Sequence, residues 1–87
     1  MPYTVKLDPR AEKELAAADP VMRRRLFAAI VALAVNPRPS GVKRLRGPVD
    51  LWRVRVGVGD WRILYNIADR VLIVTVVKIA HRREVYR

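Results

Sequence analysis

The sequence predicts a small α+β domain of the order β-α-α-β-β-β, in which a helical hairpin packs on one face of an antiparallel-rich sheet. Three observations favour this class. The chain has 87 residues, enough for one core and too few for a multidomain enzyme. Hydrophobic residues make up 52% of it, which is sufficient to fill that core. Apolar residues recur at helical spacing in the first half and alternate with polar residues in the second. We therefore treat residues 1–87 as a single domain.

The first half of the chain contains one predicted strand and two predicted helices. Residues 3–7 alternate apolar and polar side chains, which is typical of a short strand. Asp8-Pro9 and Asp19-Pro20 each place an N-cap acceptor before a proline that suits the first helical position, so a helix begins at each pair. The apolar positions of these helices are Ala11, Leu15 and Ala18, then Met22, Leu26, Ile30 and Leu33.

The second half contains a loop followed by three predicted strands. Residues 36–41 hold two prolines, which end the second helix and predict a loop. Residues 51–56 and 61–67 alternate, and the glycine-containing segment 57–60 between them is typical of a tight turn. Residues 71–79 are almost continuously apolar, which indicates a strand in the interior of the sheet.

The alternation predicts that three arginines meet on one face of the sheet. The residues expected beneath the helices are Trp52, Val54, Trp61, Ile63 and Tyr65. If they pack there, Arg53, Arg55 and Arg62 emerge on the opposite face. Like charges on neighbouring strands destabilise a sheet, so we expect this cluster to receive an anion. The alternative is a solvated face on which the arginine stems cover Leu51 and Leu64.

The overall charge points to a polyanionic partner. Eighteen Lys and Arg stand against eight Asp and Glu, for a net charge of +10. Residues 1–42 carry a net charge of +3 and residues 43–87 carry +7. Fourteen of the basic residues are arginine, whose planar fork binds phosphate bidentately, although a GC-rich genome would also favour arginine. The sequence therefore indicates contact with nucleic acid.

Several other chemistries lack the residues they need. The chain has no cysteine, one histidine, one serine and no Gly-rich loop followed by Lys-Ser/Thr. This argues against thiolate metal sites, zinc catalysis, NTP hydrolysis and a Ser-His-Asp triad, and we expect no cofactor and no metal. The N-terminus has no extended apolar region, and the apolar stretch 26–35 is too short to cross a bilayer. We expect a soluble, cytoplasmic protein that does not contact membranes.

The C-terminal segment holds two residues with acid–base capacity. His81 could act as an acid or base, or it could only orient the C-terminal turn through its ring nitrogens. Tyr86 could pack against the sheet edge, stack on a base or support proton transfer. Residue type alone leaves these alternatives open.

Four blocks of this sequence resemble those of RelE/ParE-type toxins, and they occur in the same order. They are the K-x-L-x-G block at 43–47, the R-x-R-x-G block at 53–57, the W-R-I-x-Y block at 61–65 and the H-R-x-x-x-Y block at 81–86. The resemblance covers nearly the whole chain. It implies one of two targets on the same fold: RelE-like members are ribosome-dependent endoribonucleases that cut mRNA in the A site, and ParE-like members poison DNA gyrase.

The resemblance also implies site residues, and we favour the nuclease branch. Arg53 and Arg55 fall where RelE-like nucleases place basic strand residues, and one of those residues, a lysine, is thought to act as base. Arginine is a poor proton acceptor at neutral pH, so His81 or Tyr86 would assist removal of the ribose 2′-OH proton here. The implied catalytic set is Arg53, Arg55, Arg62, His81, Arg82 and Tyr86, and the expected RNA-binding residues are Lys43, Arg44, Arg46 and Arg83.

The implied partners follow from the same resemblance. They are a cognate acidic antitoxin that masks the basic surface, mRNA in the ribosomal A site, and operator DNA reached through the antitoxin complex. Two other functions stay open at this point. The chain could inhibit gyrase without cutting RNA, or it could be a noncatalytic nucleic-acid-binding relic of a toxin.

Overall fold

Two helices and a five-stranded sheet make up the computed structural model, which describes residues 2–47, 50–57 and 61–81. The strands are arranged in the order β1-β5-β4-β3-β2. β1 runs parallel to β5, and the other neighbouring pairs are antiparallel. The predicted α+β class is confirmed. The elements are β1 (Thr4–Leu7), α1 (Pro9–Ala17), α2 (Pro20–Val35), β2 (Lys43–Leu45), β3 (Leu51–Val56), β4 (Trp61–Ala68) and β5 (Ile73–His81).

Both helices begin where the sequence predicts. The Asp8 carboxylate accepts a hydrogen bond from the backbone N–H of Ala11 at 2.9 Å, and Asp19 accepts one from Met22 at 3.0 Å. In each case a proline occupies the first turn. Proline lacks a backbone N–H, but an N–H at this position has no acceptor within the helix, so no hydrogen bond is lost. The helix starts are therefore set by local sequence. Within the described ranges, neither helix is long and apolar enough to cross a membrane.

The sheet contains one strand more than predicted. β2 pairs with β3 in the register Lys43↔Arg53, so four strands rather than three follow the helices. Three residues are too few to show a periodic pattern, and it is pairing with β3 that makes this segment a strand. β5 also begins later than expected, because residues 69–72 form a turn in which Leu72 has a φ of 56°. Of the predicted turn 57–60, residues 58–60 lie outside the described residues.

The core lies between the helical hairpin and one face of the sheet. Val54 lies opposite Ile63, and Trp52 lies opposite Tyr65, so these side chains share the face that the helices cover. The alternation predicted for these strands is confirmed. The fully or nearly buried core residues are Ala11, Leu26, Ile30 and Leu33 from the helices, Ala18 from the C-cap of α1, and Val56, Ile63, Tyr65, Val74, Val76 and Ile79 from the sheet.

A β-bulge in β5 changes which side chains face the helices. Leu64 pairs with Lys78, but the next residue of β4 pairs with Val76, so Val77 is an extra residue in β5. The bulge shifts the alternation of β5 by one position, which brings Ile79 to the core face and Ala80 opposite Arg62. The last four residues of this strand, 78–81, therefore point to the opposite faces from those that an uninterrupted strand would give them.

A side chain of α1 accepts a backbone hydrogen bond at the edge of β5 beyond the point where β1 ends. β1 pairs with β5 only as far as Val76. Past it, the Glu14 carboxylate accepts hydrogen bonds from the backbone N–H of Ile79 at 2.9 Å and from the ammonium of Lys78 at 3.1 Å. This contact fixes the helical hairpin against the strand and neutralises Lys78.

Candidate functional site

Basic side chains face one another across the sheet on the side away from the helices. Arg55 lies directly opposite Arg62, and Lys43 lies directly opposite Arg53. Directly opposed side chains have Cβ atoms about 4.5–5.5 Å apart, so two pairs of like charges meet here. The predicted clustering of the three arginines on one face is confirmed, and β2 adds a lysine to it.

A pocket of about 230 Å³ lies among these side chains. Its wall consists of basic residues from three strands and of the loop that leads into β2. The residues that line it are Ser40, Gly41, Lys43, Arg53, Val54, Arg55 and Arg62.

Arg62 is the most unusual residue of the pocket. Its side chain is buried, with only 4% of the residue exposed, and its Nη1 donates a hydrogen bond of 3.3 Å to the backbone carbonyl of Trp61. A guanidinium has five N–H donors, and no carboxylate in the described part of the chain forms an ion pair with this one. A buried charge is costly unless an opposite charge offsets it, so an anion is the kind of ligand that these residues would favour.

The burial of Arg62 separates the two interpretations of this face. Leu64 is buried between Arg53 on β3 and Lys78 on β5, and Leu51 is half-buried. This is expected if the stems of basic side chains cover apolar ones. On a merely solvated face, however, each guanidinium would remain in water. Arg55 is exposed and Arg53 is half-buried, whereas Arg62 is almost completely buried. The face therefore combines both features: arginine stems cover apolar side chains, and one guanidinium, that of Arg62, is withdrawn from water into the pocket wall.

The four expected RNA-binding residues do not form one group. Lys43 lines the pocket, but Arg44 lies on the other face of β2, directly opposite Trp52. The Arg44 guanidinium pairs with the Asp50 carboxylate at 3.0 Å, and both residues line a second pocket, of about 490 Å³, with Arg46. Strand alternation causes this division. Arg83 lies outside the described residues, as do Arg82 and Tyr86 of the expected catalytic set.

His81 lies on the sheet face opposite to that of the three arginines. It lies directly opposite Trp61, and the two rings make an edge-to-face contact with centroids 5.9 Å apart. Trp61 alternates with Arg62, whose partner on β5 is Ala80. The bulge at Val77 is the reason, because uninterrupted alternation along β5 would direct the histidine toward the arginines. The structure therefore does not bring His81 together with the pocket.

A hydrogen-bonded cluster that the sequence analysis missed holds the loop beside the pocket. Arg38 makes two hydrogen bonds to the Asp69 carboxylate, at 3.1 and 2.9 Å, and its guanidinium lies 4.9 Å from the ring centroid of Trp52. The Tyr3 hydroxyl donates to the same carboxylate at 2.6 Å. These bonds from Arg38 and Tyr3 lower the pKa of Asp69 to about 2, and the same contact with Asp69 raises the pKa of Tyr3.

A buried tyrosine provides the second attachment of this loop. The Tyr65 hydroxyl donates a hydrogen bond of 2.7 Å to the carbonyl of Pro37, and burial raises the pKa of Tyr65 to about 12. The loop thereby places Ser40 and Gly41, which has a φ of 85°, in the pocket wall. Local sequence gives no signal for these contacts, because the partners are 28 to 66 residues apart along the chain.

No group of three potential metal ligands occurs in the ranges that the structure describes. The polar groups that converge at the pocket are cations and a serine hydroxyl.

Comparison with known proteins places these features in a family. Residues 5–86 match the model of the ParE toxin of type II toxin-antitoxin system, parDE. The chain is 30% identical over 88 residues to the mRNA interferase toxin RelE of Escherichia coli, an alignment that covers 99% of this chain and 92% of the relative. It is 32% identical over 92 residues to toxin RelG of Mycobacterium tuberculosis, covering 100% and 99% of the two chains.

Solved structures agree with this assignment. A chain of the toxin–antitoxin complex RelBE2 of Mycobacterium tuberculosis superposes with a TM-score of 0.81 at 26% sequence identity, covering 94% of this chain and 93% of that one. The resemblance inferred from the four sequence blocks is confirmed. With a family match across almost its full length and a similar fold in solved relatives, the chain belongs to the ParE toxin family of type II toxin–antitoxin systems.

Proposed function

We propose that this chain is a ribosome-dependent mRNA endoribonuclease that inhibits translation as the toxin of a toxin–antitoxin pair. One observation carries the proposal: a buried guanidinium, that of Arg62, lines a pocket together with Arg53, Arg55 and Lys43. The 30% identity to a protein named mRNA interferase toxin RelE gives the reaction class. The chain would act in the cytoplasm, where its substrate is translated.

The pocket suits the charge that develops in RNA cleavage. The scissile phosphate occupies the pocket, and the ribose 2′ oxygen attacks it to give a 2′,3′-cyclic phosphate and a 5′-hydroxyl. Negative charge grows on the phosphorane oxygens in the transition state, where Arg53, Arg55 and Arg62 stabilise it with N–H donors already in place. Arg82 is proposed to lie near the leaving 5′ oxygen, and Tyr86 to support proton transfer.

The ribosome supplies what so small a domain lacks. A pocket of about 230 Å³ holds one phosphate and part of the adjoining nucleotides. Contacts with so short a stretch of RNA are too few to select a nucleotide sequence. Holding the mRNA in the A site fixes the attacking oxygen, the phosphorus atom and the protein in one geometry, which lowers the entropic part of the barrier. The net charge of +10 adds attraction to RNA that weakens as salt rises.

The same charge suits an acidic antitoxin. A solved relative is described as part of a toxin–antitoxin complex. For this chain we propose a cognate antitoxin whose acidic segments cover the pocket and place carboxylates on the arginines, which would block the phosphate. The complex would reach operator DNA through the antitoxin.

Gyrase inhibition is the second candidate, because the matching family model is that of the ParE toxin. In that case the arginines would contact protein or DNA, and RNA would remain intact. A noncatalytic nucleic-acid-binding protein would show neither activity.

The test is cleavage of a defined mRNA on programmed ribosomes, with the cut positions and the chemistry of the new ends mapped. We expect A-site cuts that leave 2′,3′-cyclic phosphate and 5′-hydroxyl ends. Arg62→Met should slow cleavage about 100- to 1,000-fold, the usual effect of removing one transition-state donor. Arg24→Met, on the exposed side of α2, is the matched control and should cleave at the normal rate.

Two results would overturn the proposal. One is intact mRNA together with loss of gyrase supercoiling activity, which would establish the second candidate. The other is cleavage that leaves 3′-hydroxyl ends, which would exclude attack by the 2′ oxygen.

A further inference from the structure

The pocket contains one strong base among the residues that the structure describes in its wall. Three of the lining side chains are guanidinium groups, which do not lose their proton in proteins. The hydroxyl of Ser40 is a very weak base. Lys43 is the remaining polar side chain, and an amine accepts a proton whenever it is in its neutral form.

Strand pairing directs Lys43 toward the place where the reaction is proposed to occur. It lies at the start of β2, directly opposite Arg53, on the same face as the Arg55–Arg62 pair. It comes from an edge strand that the sequence analysis did not predict, so its position relative to the arginines could not be inferred from strand alternation alone.

We infer that Lys43 accepts the proton of the ribose 2′-OH in this site. The inference rests on the proposed RNA cleavage and adds to it the identity of the base. It assigns to Lys43 a role beyond the RNA binding expected from its charge, and it leaves to Arg53, Arg55 and Arg62 the stabilisation of the phosphorane.

The groups around Lys43 are consistent with this role. Arg53 and Arg55 face it from β3, and Arg62 faces the same pocket from β4. Lys78 of β5 shares its row of the sheet but is paired with Glu14 of α1. In the part of the chain that the structure describes, no carboxylate forms an ion pair with Lys43, so none competes for its amine.

The neutral Lys43 amine takes the 2′-OH proton, and the electron pair of that O–H bond forms the new bond from the 2′ oxygen to phosphorus. The bond from phosphorus to the 5′ oxygen then breaks, and the 5′ oxygen leaves with its electron pair and takes a proton from water. The products are the cyclic phosphate and the 5′-hydroxyl, and the Lys43 ammonium returns its proton to solvent.

The test compares Lys43→Arg with the wild-type chain in single-turnover cleavage on programmed ribosomes between pH 6 and pH 9. Arginine keeps the positive charge and cannot act as base, so ribosome binding should stay within about twofold while cleavage slows about 100- to 10,000-fold. Wild-type cleavage should accelerate as pH rises, because the neutral amine becomes more abundant, and Lys43→Arg should lose that dependence. Lys78→Arg is the matched control, since it lies on the same face but pairs with Glu14.

A second variant keeps the test independent of folding and of charge. Lys43→Ala should be inactive and should recover part of its rate when a small primary amine such as ethylamine is added, which a structural role would not allow. The inference fails if Lys43→Arg cleaves within threefold of wild type with the same pH dependence, or if amines give no recovery. If the wild-type chain itself leaves ribosome-bound mRNA intact, it is the proposed function that fails, and the inference falls with it.

Discussion

Replacing Arg62 by methionine should make the protein more stable while it slows the proposed cleavage about 100- to 1,000-fold. The side chain is 4% exposed and lies directly opposite Arg55, so the substitution removes a buried charge and a like-charge pair together. Methionine fills a similar volume without requiring a counter-ion. A residue that serves the fold would behave in the opposite way.

The magnitude follows from the contacts that change. Relief of one directly opposed like-charge pair contributes about 0.2–1 kcal/mol. Replacing even a buried ion pair by apolar residues of similar volume is often neutral or stabilising by about 1–4 kcal/mol, and the described residues give Arg62 no carboxylate partner whose attraction would be lost. Against this stands the loss of the 3.3 Å hydrogen bond to the Trp61 carbonyl, which is long and contributes at most about 1 kcal/mol. We expect a net gain of about 1 kcal/mol, or roughly 4–8 °C in Tm for a domain of this size.

The assay is urea denaturation of wild type, Arg62→Met and Arg24→Met at low salt and in about 1 M NaCl, where the Debye length falls to about 3 Å. The control on α2 should stay within about 0.5 kcal/mol of wild type. Salt should reduce the difference in the free energy of unfolding between Arg62→Met and wild type, because it screens the repulsion that the substitution removes.

The increase in Tm on adding inorganic phosphate tests the same site independently. It should raise the Tm of the wild-type chain more than that of Arg62→Met, since only the intact pocket binds it with all its donors. The reasoning is refuted if Arg62→Met unfolds at lower urea than wild type at both salt concentrations. Arg62 would then support the fold, and its burial would no longer indicate an anion-binding site.

Two further predictions concern the loop beside the pocket. Tyr65→Phe should lower the free energy of unfolding by about 1–3 kcal/mol in urea denaturation, because it leaves the buried Pro37 carbonyl without its donor. Wild type should also lose stability as pH rises from 10 to about 12, since the unfolded tyrosine ionises first, and an equally steep loss in Tyr65→Phe would contradict this. Asp69→Asn should be less stable than wild type at pH 7, because the Asp69 carboxylate is stabilised by Arg38 and Tyr3. That difference should shrink as pH falls from about 4 toward 2, where the carboxylate becomes protonated, and a gap that stays constant down to pH 2 would contradict the assigned pairing.

The parts of the fold that depend on nearby residues were predictable. Asp8-Pro9 and Asp19-Pro20 carry their own capping acceptor and proline, so each helix start is decided within four residues. The shared face of Arg53, Arg55 and Arg62 needs only the two-residue period of a strand and the antiparallel pairing of β3 with β4. The sequence by itself therefore determined the helical hairpin, the β3–β4 pair and the arginine cluster, and its four motif blocks indicated the family.

The tertiary structure decided which side chains complete the site. Lys43 lines the pocket because a three-residue segment pairs with β3. His81 lies on the other face because the extra residue Val77 reverses the alternation of β5. The burial of Arg62 and the attachment of the loop through Asp69 and Tyr65 depend on partners distant in the chain. The physical reason is common to all four: pairing register and burial arise only when separate segments meet, whereas caps and alternation are properties of a single segment.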